Sequence, residues 1–407
     1  MKIVGIITEY NPFHHGHHFQ LQRVRELTEA DVIIVLMSGN VVQRGEFAIM
    51  DKWHRSEVAL KLGADLVLEL PLLASLQSAD YFASVGVELL IKLGCTTIAF
   101  GTESALATDL IQFVEWTDEQ DENIQCQVKR FLKQGLSYAA AYQSAIDYLT
   151  AEATVQAFNT TTSNHLLAIQ YVRANKRWGS PLEIVAIPRI TDSSEWTKRN
   201  YLTVSNTREV EIASGSQIRA AWWAGQFDER LTPKLTADKL ATANPIQWED
   251  YWPLLRYQLM SHSPETLRSI IGIKEGIEHL LLDSLDSKIN FDEYSQLIIS
   301  KRWTRASIQR ILLAVLLNIH EREWESYRTL FHNQPLLRIL GYNESGRKYL
   351  RRSKKEREVE LFSNFSKQYH SRYDLTVRTD KILCLNLRVS LKEQNYQRYP
   401  IQLDDGG

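Results

Sequence analysis

Residues 2–18 read KIVGIITEYNPFHHGHH. The first part, Lys2 to Thr8, is rich in β-branched residues and predicts a strand. A polar turn follows it, and a helical pattern runs from about His17 to Leu27. A strand that leads through a polar loop into a helix is typical of the first unit of an α/β sheet, where ligands bind at the carboxyl ends of the strands.

The same alternation continues through the first hundred residues. Further strands are predicted at Val32 to Met37, Leu66 to Leu70 and Thr97 to Phe100, with helical patterns between them. Because the connections are short, the strands should be parallel and covered by helices on both faces. We therefore predict a doubly wound, Rossmann-like sheet, to which Glu183 to Ile187 adds a later strand.

The pattern divides the chain into two parts. Residues 1–225 are predicted to form the α/β domain, with a helical insertion at about 104–160. Residues 226–407 are predicted to be mainly α-helical, because strand signals nearly vanish and apolar residues recur at helical spacing. One last strand is expected at Lys381 to Leu391.

Composition limits the class of protein. Of 407 residues, 44% are hydrophobic and 24% charged, which excludes a disordered chain. The three cysteines are far apart and outside any CxxC, which argues against a disulfide framework or a cysteine zinc site. No signal peptide or run of roughly 18 apolar residues is present. We expect a soluble cytoplasmic protein with no membrane association and no stable protein partner.

Charge is unevenly distributed along the chain. The formal net charge is −2, yet residues 301–372 contain 16 Lys and Arg against 7 Asp and Glu. Such segregation favours an acidic partner such as nucleic acid, although helical surfaces also carry cations for solubility. Charge alone leaves both interpretations open.

The motif His14-x-Gly16-His17 is the most informative feature of the opening stretch. It lies where the first strand meets the first helix, so the free N–H groups of the helix face the same crevice. A glycine between two histidines lets backbone and imidazoles approach a phosphate. The motif suits attack at the α-phosphorus of a nucleoside triphosphate, with His14 and His17 as candidate catalytic residues.

Other kinds of site fit the sequence less well. Four histidines in five residues suggest a metal site, but no further His or Cys at a recognisable spacing completes a ligand set, so we predict none. No GxGxxG follows a strand. Gly341 to Gly346 has the glycine spacing of a P-loop but lacks its Lys-Ser/Thr.

Two polar clusters are candidates for phosphate or substrate contacts. They contribute Arg44, Lys52, Arg55, Ser214, Ser216 and Arg219. Lys52 and Arg55 lie at i and i+3 on one predicted helical face, and the serines precede another helix. Each cluster also has a simpler interpretation, namely solvated surface cations in the first and a helix N-cap at Ser214 in the second.

These motifs together resemble the bacterial tRNA(Met) cytidine acetate ligase family, within the nucleotidyltransferase superfamily that has the HIGH motif. The resemblance spans nearly the whole chain. It rests on Glu9-Tyr10-Asn11-Pro12-Phe13-His14-x-Gly16-His17, Met37-Ser38-Gly39-Asn40, Gln43-Arg44-Gly45, Gly63-Ala64-Asp65-Leu66-Val67, Glu69-Leu70-Pro71, Phe100-Gly101-Thr102-Glu103, Ser163-Asn164-His165-Leu166-Leu167, Pro188-Arg189-Ile190 and Arg302-Trp303-Thr304-Arg305.

The resemblance implies an α/β nucleotidyltransferase domain and a ligase reaction. ATP would activate acetate as acetyl-adenylate, and the acetyl group would pass to the wobble cytidine of elongator tRNA(Met), forming N4-acetylcytidine. Mg²⁺ is expected to accompany ATP. Arg189 joins the two histidines as a catalytic residue. The implied ATP-binding residues are Ile7, Thr8, Glu9, Tyr10, Asn11, Pro12, Phe13, His14, His15, Gly16, His17, His18, Phe19, Gln20, Gly101, Asn164 and Arg189.

Three positions depart from the family pattern. His15 stands where Asn is usual, His165 replaces the second Asn of an Asn-Asn pair, and Gly215-Ser216 replaces Ala-Thr. Asn164 and the two spaced histidines are kept, so the resemblance still implies ATP binding.

The basic C-terminal part is then expected to bind tRNA. The expected phosphate contacts are Arg302, Arg305, Arg310, Arg347, Lys348, Arg351, Arg352, Lys354 and Lys355. Trp303 and Tyr349 are expected to stack on unpaired bases. Two alternatives stay open: a nucleotidyltransferase that adenylylates a small cofactor precursor, and a non-catalytic RNA-binding protein.

Overall fold

A computed structural model describes residues 1–103, 106–151, 153–189, 212–243, 245–274, 276–285, 289–386 and 388–404. Eight of the strands in these ranges form one sheet, and β3 pairs with β4 in a small separate hairpin. The strands are β1 (Ile3–Thr8), β2 (Val32–Ser38), β3 (Val41–Val42), β4 (Glu46–Phe47), β5 (Leu66–Leu70), β6 (Thr97–Thr102), β7 (Glu183–Pro188), β8 (Leu336–Tyr342), β9 (Glu360–Phe362) and β10 (Ile401–Gln402).

The strand order explains where a ligand site forms. The order is β10-β8-β5-β2-β1-β6-β7, with β9 paired to β8. β1, β2, β5, β6 and β7 are mutually parallel, as predicted, and β8 is antiparallel to β5. From β1 the chain first adds strands on one side and then returns to add β6 on the other. The topological switch point therefore lies between β1 and β6, where a crevice opens at their carboxyl ends.

Helices cover both faces of this sheet. Alternate residues of β2 enter two different cores: Val32, Ile34 and Leu36 face one, and Ile33 and Val35 face the other. The helices are α1 (His15–Thr28), α2 (Lys52–Lys61), α3 (Leu72–Ser75), α4 (Ala79–Lys92), α5 (Ala107–Glu119), α6 (Asp121–Lys133), α7 (Tyr138–Thr150), α8 (Ser163–Arg177), α9 (Gly215–Trp223), α10 (Lys234–Ala243), α11 (Trp252–Ser261), α12 (Pro264–Arg268), α13 (Ile277–Asp283), α14 (Phe291–Ile298), α15 (Arg305–Leu316), α16 (Glu321–Asn333), α17 (Glu344–Arg352) and α18 (His370–Leu383). The predicted helical insertion corresponds to α5, α6 and α7.

The C-terminal part differs from the prediction in two respects. It is mainly helical, but β8, β9 and β10 join the sheet of the N-terminal part, so the division at residue 226 does not divide the sheet. The prediction of a strand at Lys381 to Leu391 is wrong, because this segment begins inside α18, which ends at Leu383. A short apolar run fits a buried helix as well as a strand, and periodicity alone does not separate them.

In the described part of the chain, no helix has both the length and the apolar character needed to cross a bilayer.

Candidate active site

The loop between β1 and α1, here called the histidine loop (residues 9–18), forms the floor of the crevice. His14 is the N-cap of α1, so the helix begins two residues earlier than predicted. The backbone N–H of His14 donates to Nδ1 of His17 over 3.2 Å. The first turn of α1 therefore directs its free N–H groups and positive dipole end into the crevice.

Two imidazole rings are stacked in this loop. The ring centroids of His14 and His17 lie 3.7 Å apart at an interplanar angle of 20°. Tyr10 packs edge-on against His17 with centroids 4.8 Å apart. A Cβ added at Gly16 would lie 3.0 Å from Cε1 of His14, so only glycine leaves the ring its full space.

Both histidines are neutral at pH 7. Burial, reinforced by Arg189 and His15, lowers the pKa of His14 to about 3. Burial, reinforced by His14 and Arg189, also holds the pKa of His17 well below its usual 6.5. Because Nδ1 of His17 accepts a backbone N–H, its proton resides on Nε2, which makes Nε2 a hydrogen-bond donor. His17 thus offers a neutral donor, and positive charge in the crevice must come from other groups.

The crevice brings the predicted residues from separate elements together. It has a volume of about 1720 Å³, and its lining includes both stacked histidines. Other predicted residues that line it are Ile7, Thr8, Glu9, Tyr10, Asn11, Gly16, Phe19, Gln20, Arg44, Gly101, Asn164, Arg189, Ser214, Ser216 and Arg219. Pro12, Phe13, His15 and His18, which the resemblance also implied, lie outside this lining.

The wall opposite the histidine loop comes from β6, β7 and α8. The backbone N–H of Arg189 donates to the carbonyl of Thr102 over 2.8 Å, which fixes the residue at the carboxyl end of β7. Its side chain is exposed, and its charge acts on both histidines. Asn164, in the first turn of α8, donates from Nδ2 to Oε1 of Glu103 over 3.3 Å. Arg189 is therefore the cation that faces the neutral histidine pair.

A third wall is formed by the start of α9. Ser214 caps this helix, since its Oγ accepts the backbone N–H of Gln217 over 3.3 Å, as the simpler interpretation had it. Arg219 donates to the carbonyl of Asn11 over 2.7 Å and lies 3.2 Å from Oε1 of Glu46. These contacts hold α9 against the histidine loop. Arg44 lies 3.4 Å from Oγ of Ser216, so a cation and a helix N-terminus share this wall.

The prediction that Lys52 contacts phosphate is wrong. Lys52 is completely buried, and its Nζ lies 2.7 Å from Oε1 of Glu69 and 2.7 Å from Oδ2 of Asp380. The i,i+3 spacing showed that Lys52 and Arg55 share a helix face, but that face packs on the sheet. The sequence alone did not show that burial.

Arg55 is likewise buried, and the prediction of a phosphate contact is wrong for it too. Its guanidinium donates to the carbonyl of Glu9 over 2.6 Å and to the carbonyl of Ser38 over 3.1 Å. It also donates to the carbonyl of Met50 over 2.9 Å. Arg55 therefore links the carboxyl ends of β1 and β2 through hydrogen bonds and supports the start of the histidine loop.

The predicted tRNA residues fall into two groups. Arg305 and Arg310 line the crevice, and Arg302 precedes them on the exposed start of the same segment. The other group, here called the basic ridge, consists of the exposed residues Arg347, Lys348, Arg351, Arg352, Lys354 and Lys355.

The basic ridge lies at the end of the parallel strands opposite the crevice. The N-cap of α17, Asn343, donates its backbone N–H to the carbonyl of Asp65 over 3.0 Å, directly before β5 begins. The ridge is thus at the amino ends of the parallel strands. Tyr349 is fully buried with its hydroxyl on the carbonyl of Leu93, so the expectation that it stacks on bases is wrong. Trp303 is half-buried and packs against the core.

The departures from the family pattern have unequal consequences. His165 is buried 5.4 Å from the ring of Phe158 and does not line the crevice. His15 lies outside the lining as well and contacts the carbonyl of Arg230 over 3.1 Å. Ser216 does line it. Ile190, the last residue of the Pro188-Arg189-Ile190 motif, lies outside the described residues.

Sequence reasoning missed several residues of the crevice. Glu103 belongs to a quoted motif, and its position after β6 was a usable signal. The part of the crevice formed by α7 and α8 is lined by residues that no motif identified, namely Tyr138, Tyr142, Arg173 and Arg177.

Within the described ranges, no group of three or more His, Cys, Asp and Glu is placed to hold a metal ion.

The chain matches one family model and many curated relatives over most of its length. Residues 1–398 match the family model described as HIGH Nucleotidyl Transferase. The tRNA(Met) cytidine acetate ligase of Latilactobacillus sakei subsp. sakei (strain 23K) is 34% identical over 404 residues, which cover 98% of this chain and 97% of that protein. The tRNA(Met) cytidine acetate ligase of Bacillus subtilis (strain 168) is 32% identical, covering 100% of this chain and 98% of that protein.

The fold is also similar to solved structures. The crystal structure of apo Thermotoga maritima TmcAL superposes with a TM-score of 0.82 at 25% identity, covering 99% of this chain and 100% of that one. The structure of the same protein bound with alpha-thio ATP gives a TM-score of 0.81 at 26% identity, again with 99% and 100% coverage. The likeness therefore extends to a structure in which an ATP analogue is bound.

Proposed function

The chain belongs to the HIGH nucleotidyl transferase family and within it to the tRNA(Met) cytidine acetate ligases, and from that premise we propose the following reaction. This ATP-dependent ligase activates acetate as acetyl-adenylate and acetylates the wobble cytidine of elongator tRNA(Met) to N4-acetylcytidine. The observation that carries the proposal is the stacked His14 and His17 pair, at the N-terminus of α1 and facing Arg189.

The first step is attack of an acetate oxygen on the α-phosphorus of ATP. A new P–O bond forms, the bond to pyrophosphate breaks, and negative charge spreads over the transferring group. Nε2–H of His17 and the N–H groups of α1 are preorganised to donate to that group, while Arg189 supplies positive charge. His14 lines the same crevice and stacks on His17, so it helps to hold that ring in position.

The leaving pyrophosphate needs positive charge as well. Arg44 and the N-terminus of α9 line the same crevice and would orient it. Mg²⁺ that arrives with ATP would neutralise phosphate charge. Glu9 and Glu103 line the crevice and would offer that ion carboxylate oxygens, the ligand type that it prefers.

The second step transfers the acetyl group. The exocyclic amine of cytidine attacks the acetyl carbonyl, the C–O bond to AMP breaks, and the amine loses a proton as AMP leaves. A mixed anhydride is already activated, so positioning of the two substrates in a crevice that limits water supplies most of the catalysis. We propose that residues 226–407 help to hold the tRNA, with Arg302, Arg305 and Arg310 beside the crevice, and that the enzyme works in the cytoplasm.

The activation step can be tested without tRNA. Purified protein should catalyse ATP–pyrophosphate exchange that depends on acetate and Mg²⁺. Exchange that proceeds equally well without acetate would favour adenylylation of another acceptor. Absence of exchange, together with unchanged tRNA affinity when His14 or His17 is replaced by Ala, would favour a non-catalytic RNA-binding protein.

A further inference from the structure

The crevice is larger than one nucleotide requires. Pockets for a single small ligand usually measure roughly 300–1,000 Å³, whereas this crevice has a volume of about 1720 Å³. It continues from the histidine loop to a region formed by α7 and α8 of the catalytic part, here called the far arm. The far arm is lined by Tyr138, Tyr142, Arg173 and Arg177.

The far arm contains a stacked pair of tyrosines. The rings of Tyr138 and Tyr142 stack with centroids 6.4 Å apart at 25°. Nη2 of Arg173 donates to the hydroxyl of Tyr142 over 3.3 Å and to Oγ1 of Thr117 over 3.0 Å, which fixes the inner ring. The outer ring, Tyr138, is 59% exposed. An ordered aromatic surface of this size in a crevice wall is suited to stacking on a planar ligand.

The charge of the far arm suits an anionic ligand. Arg177 is exposed, lines the crevice and has no ion pair within the described residues. Asp118, in the same wall, is neutralised by Lys176, whose Nζ lies 2.6 Å from its carboxylate. Asp121 lies in the first turn of α6, where the helix dipole offsets its charge. A planar group and a phosphate together are the parts of one nucleotide.

We propose that Tyr138 and Arg177 form a binding subsite for an unpaired nucleotide of the acceptor RNA, whose base stacks on Tyr138 and whose phosphate contacts Arg177. The inference rests on the proposed function, which supplies an RNA acceptor. RNA is recognised sequence-tolerantly by such stacking, because every base has a π-face. The subsite would hold a nucleotide of the tRNA while its neighbour reaches the acetyl-adenylate.

The experiment compares tRNA binding by Tyr138→Ala, Tyr138→Phe and Tyr148→Ala. Tyr148 is a matched control, since it lies on the same helix, is 55% exposed and does not line the crevice. The dissociation constant for unmodified tRNA(Met) should rise by about 5- to 150-fold in Tyr138→Ala, the range expected when one base no longer stacks. Tyr138→Phe, which keeps the ring, and Tyr148→Ala should bind like the unchanged protein.

Arg177→Ala tests the phosphate contact. It should weaken binding and reduce the slope of log affinity against log salt by about one unit. Unchanged affinity of Tyr138→Ala, or equal losses in Tyr138→Ala and Tyr148→Ala, would overturn the subsite. Because binding is measured without ATP, this outcome is separate from a failure of acetate-dependent exchange in the unchanged protein, which would overturn the proposed function instead.

Discussion

The backbone N–H of His14 donates to Nδ1 of His17, and the two imidazole rings stack 3.7 Å apart. This arrangement fixes the tautomer of His17, because a nitrogen that accepts a hydrogen bond carries no proton. It also keeps both rings neutral, since a proton on either would lie buried beside its neighbour and near Arg189. In the proposed reaction, the HxGH motif would therefore present the Nε2–H of His17 to a phosphoryl group and leave the net positive charge to arginines and the helix dipole.

Replacement of His17 should reduce activation strongly. We expect His17→Ala to lower the rate of acetate-dependent ATP–pyrophosphate exchange by about 10²- to 10³-fold, the usual cost of removing one donor to a transition-state anion. His17→Gln keeps an N–H near the position of Nε2 and should retain more activity than His17→Ala. Equal activities of the two variants would show that the donor at Nε2 is unimportant.

The histidine pair should also determine how stability depends on pH. The unfolded chain binds a proton at His14 near pH 6.5, whereas the folded chain binds it only near pH 3. The stabilising contribution is thus fully present above pH 6.5 and is lost as pH falls from 6.5 towards 3. Urea midpoints at pH 7.5 and 5.0 should show a smaller loss for His14→Asn, because Asn suits the N-cap position but cannot titrate.

The same pKa values predict the pH profile of activation. Exchange at saturating substrates should show no inflection near pH 6.5, because neither His14 nor His17 changes its charge there. A clear inflection near pH 6.5 that disappears in His17→Gln would contradict the neutral assignment.

Lys52 should matter for stability and not for ATP. Its removal leaves the buried carboxylates of Glu69 and Asp380 without their cation. Breaking such a buried pair costs about 3–5 kcal/mol, so Lys52→Met should lower the free energy of unfolding by that amount. Lys61→Met is the control on the same helix, because Lys61 forms an exposed pair with Glu57 worth about 0–1 kcal/mol.

The readout for a phosphate role of Lys52 is the KM for ATP of the folded variant. We expect it to be unchanged at a temperature where Lys52→Met is fully folded. A raised KM for ATP with unchanged stability would instead indicate that Lys52 contacts a phosphate of ATP.

The basic ridge should act on tRNA alone. Replacing Arg351, Arg352, Lys354 and Lys355 together with Ala should weaken tRNA binding and flatten its salt slope, by about 0.7–0.9 for each phosphate that the protein no longer neutralises. Exchange without tRNA should stay the same, because the ridge lies at the edge of the sheet away from the crevice. An unchanged salt slope would contradict a role in tRNA binding. Lys129→Ala with Lys133→Ala, two exposed lysines of α6, is the control.

The sequence predicted what depends on local pattern. Apolar runs between turn residues located β1, β2, β5, β6 and β7, and the short connections between them predicted that these strands are parallel. The position of Arg189 after β7 placed it in the crevice for the same reason. Such residues were predictable because the end of a strand can be read from the local sequence, and the carboxyl ends of parallel strands all lie at the same end of the sheet.

Long-range packing was beyond local pattern. Lys52 and Arg55 have the residue types of a surface helix. Their burial depends on partners from other elements, among them Asp380, more than 300 positions away, and the carbonyls of Glu9 and Ser38. Likewise, β8 pairs with β5 although some 265 residues separate them. Tyr138 was missed because aromatic residues at helical spacing, such as Tyr138 and Tyr142, have no pattern that distinguishes a crevice wall from a core.

The most direct test is to incubate the purified protein with labelled acetate, ATP, Mg²⁺ and unmodified elongator tRNA(Met), omitting each component in turn. We expect label to enter the tRNA only when all components are present, and digestion of the tRNA to release labelled N4-acetylcytidine. Label that enters the tRNA without ATP, or no label in the complete mixture, would contradict the proposed reaction.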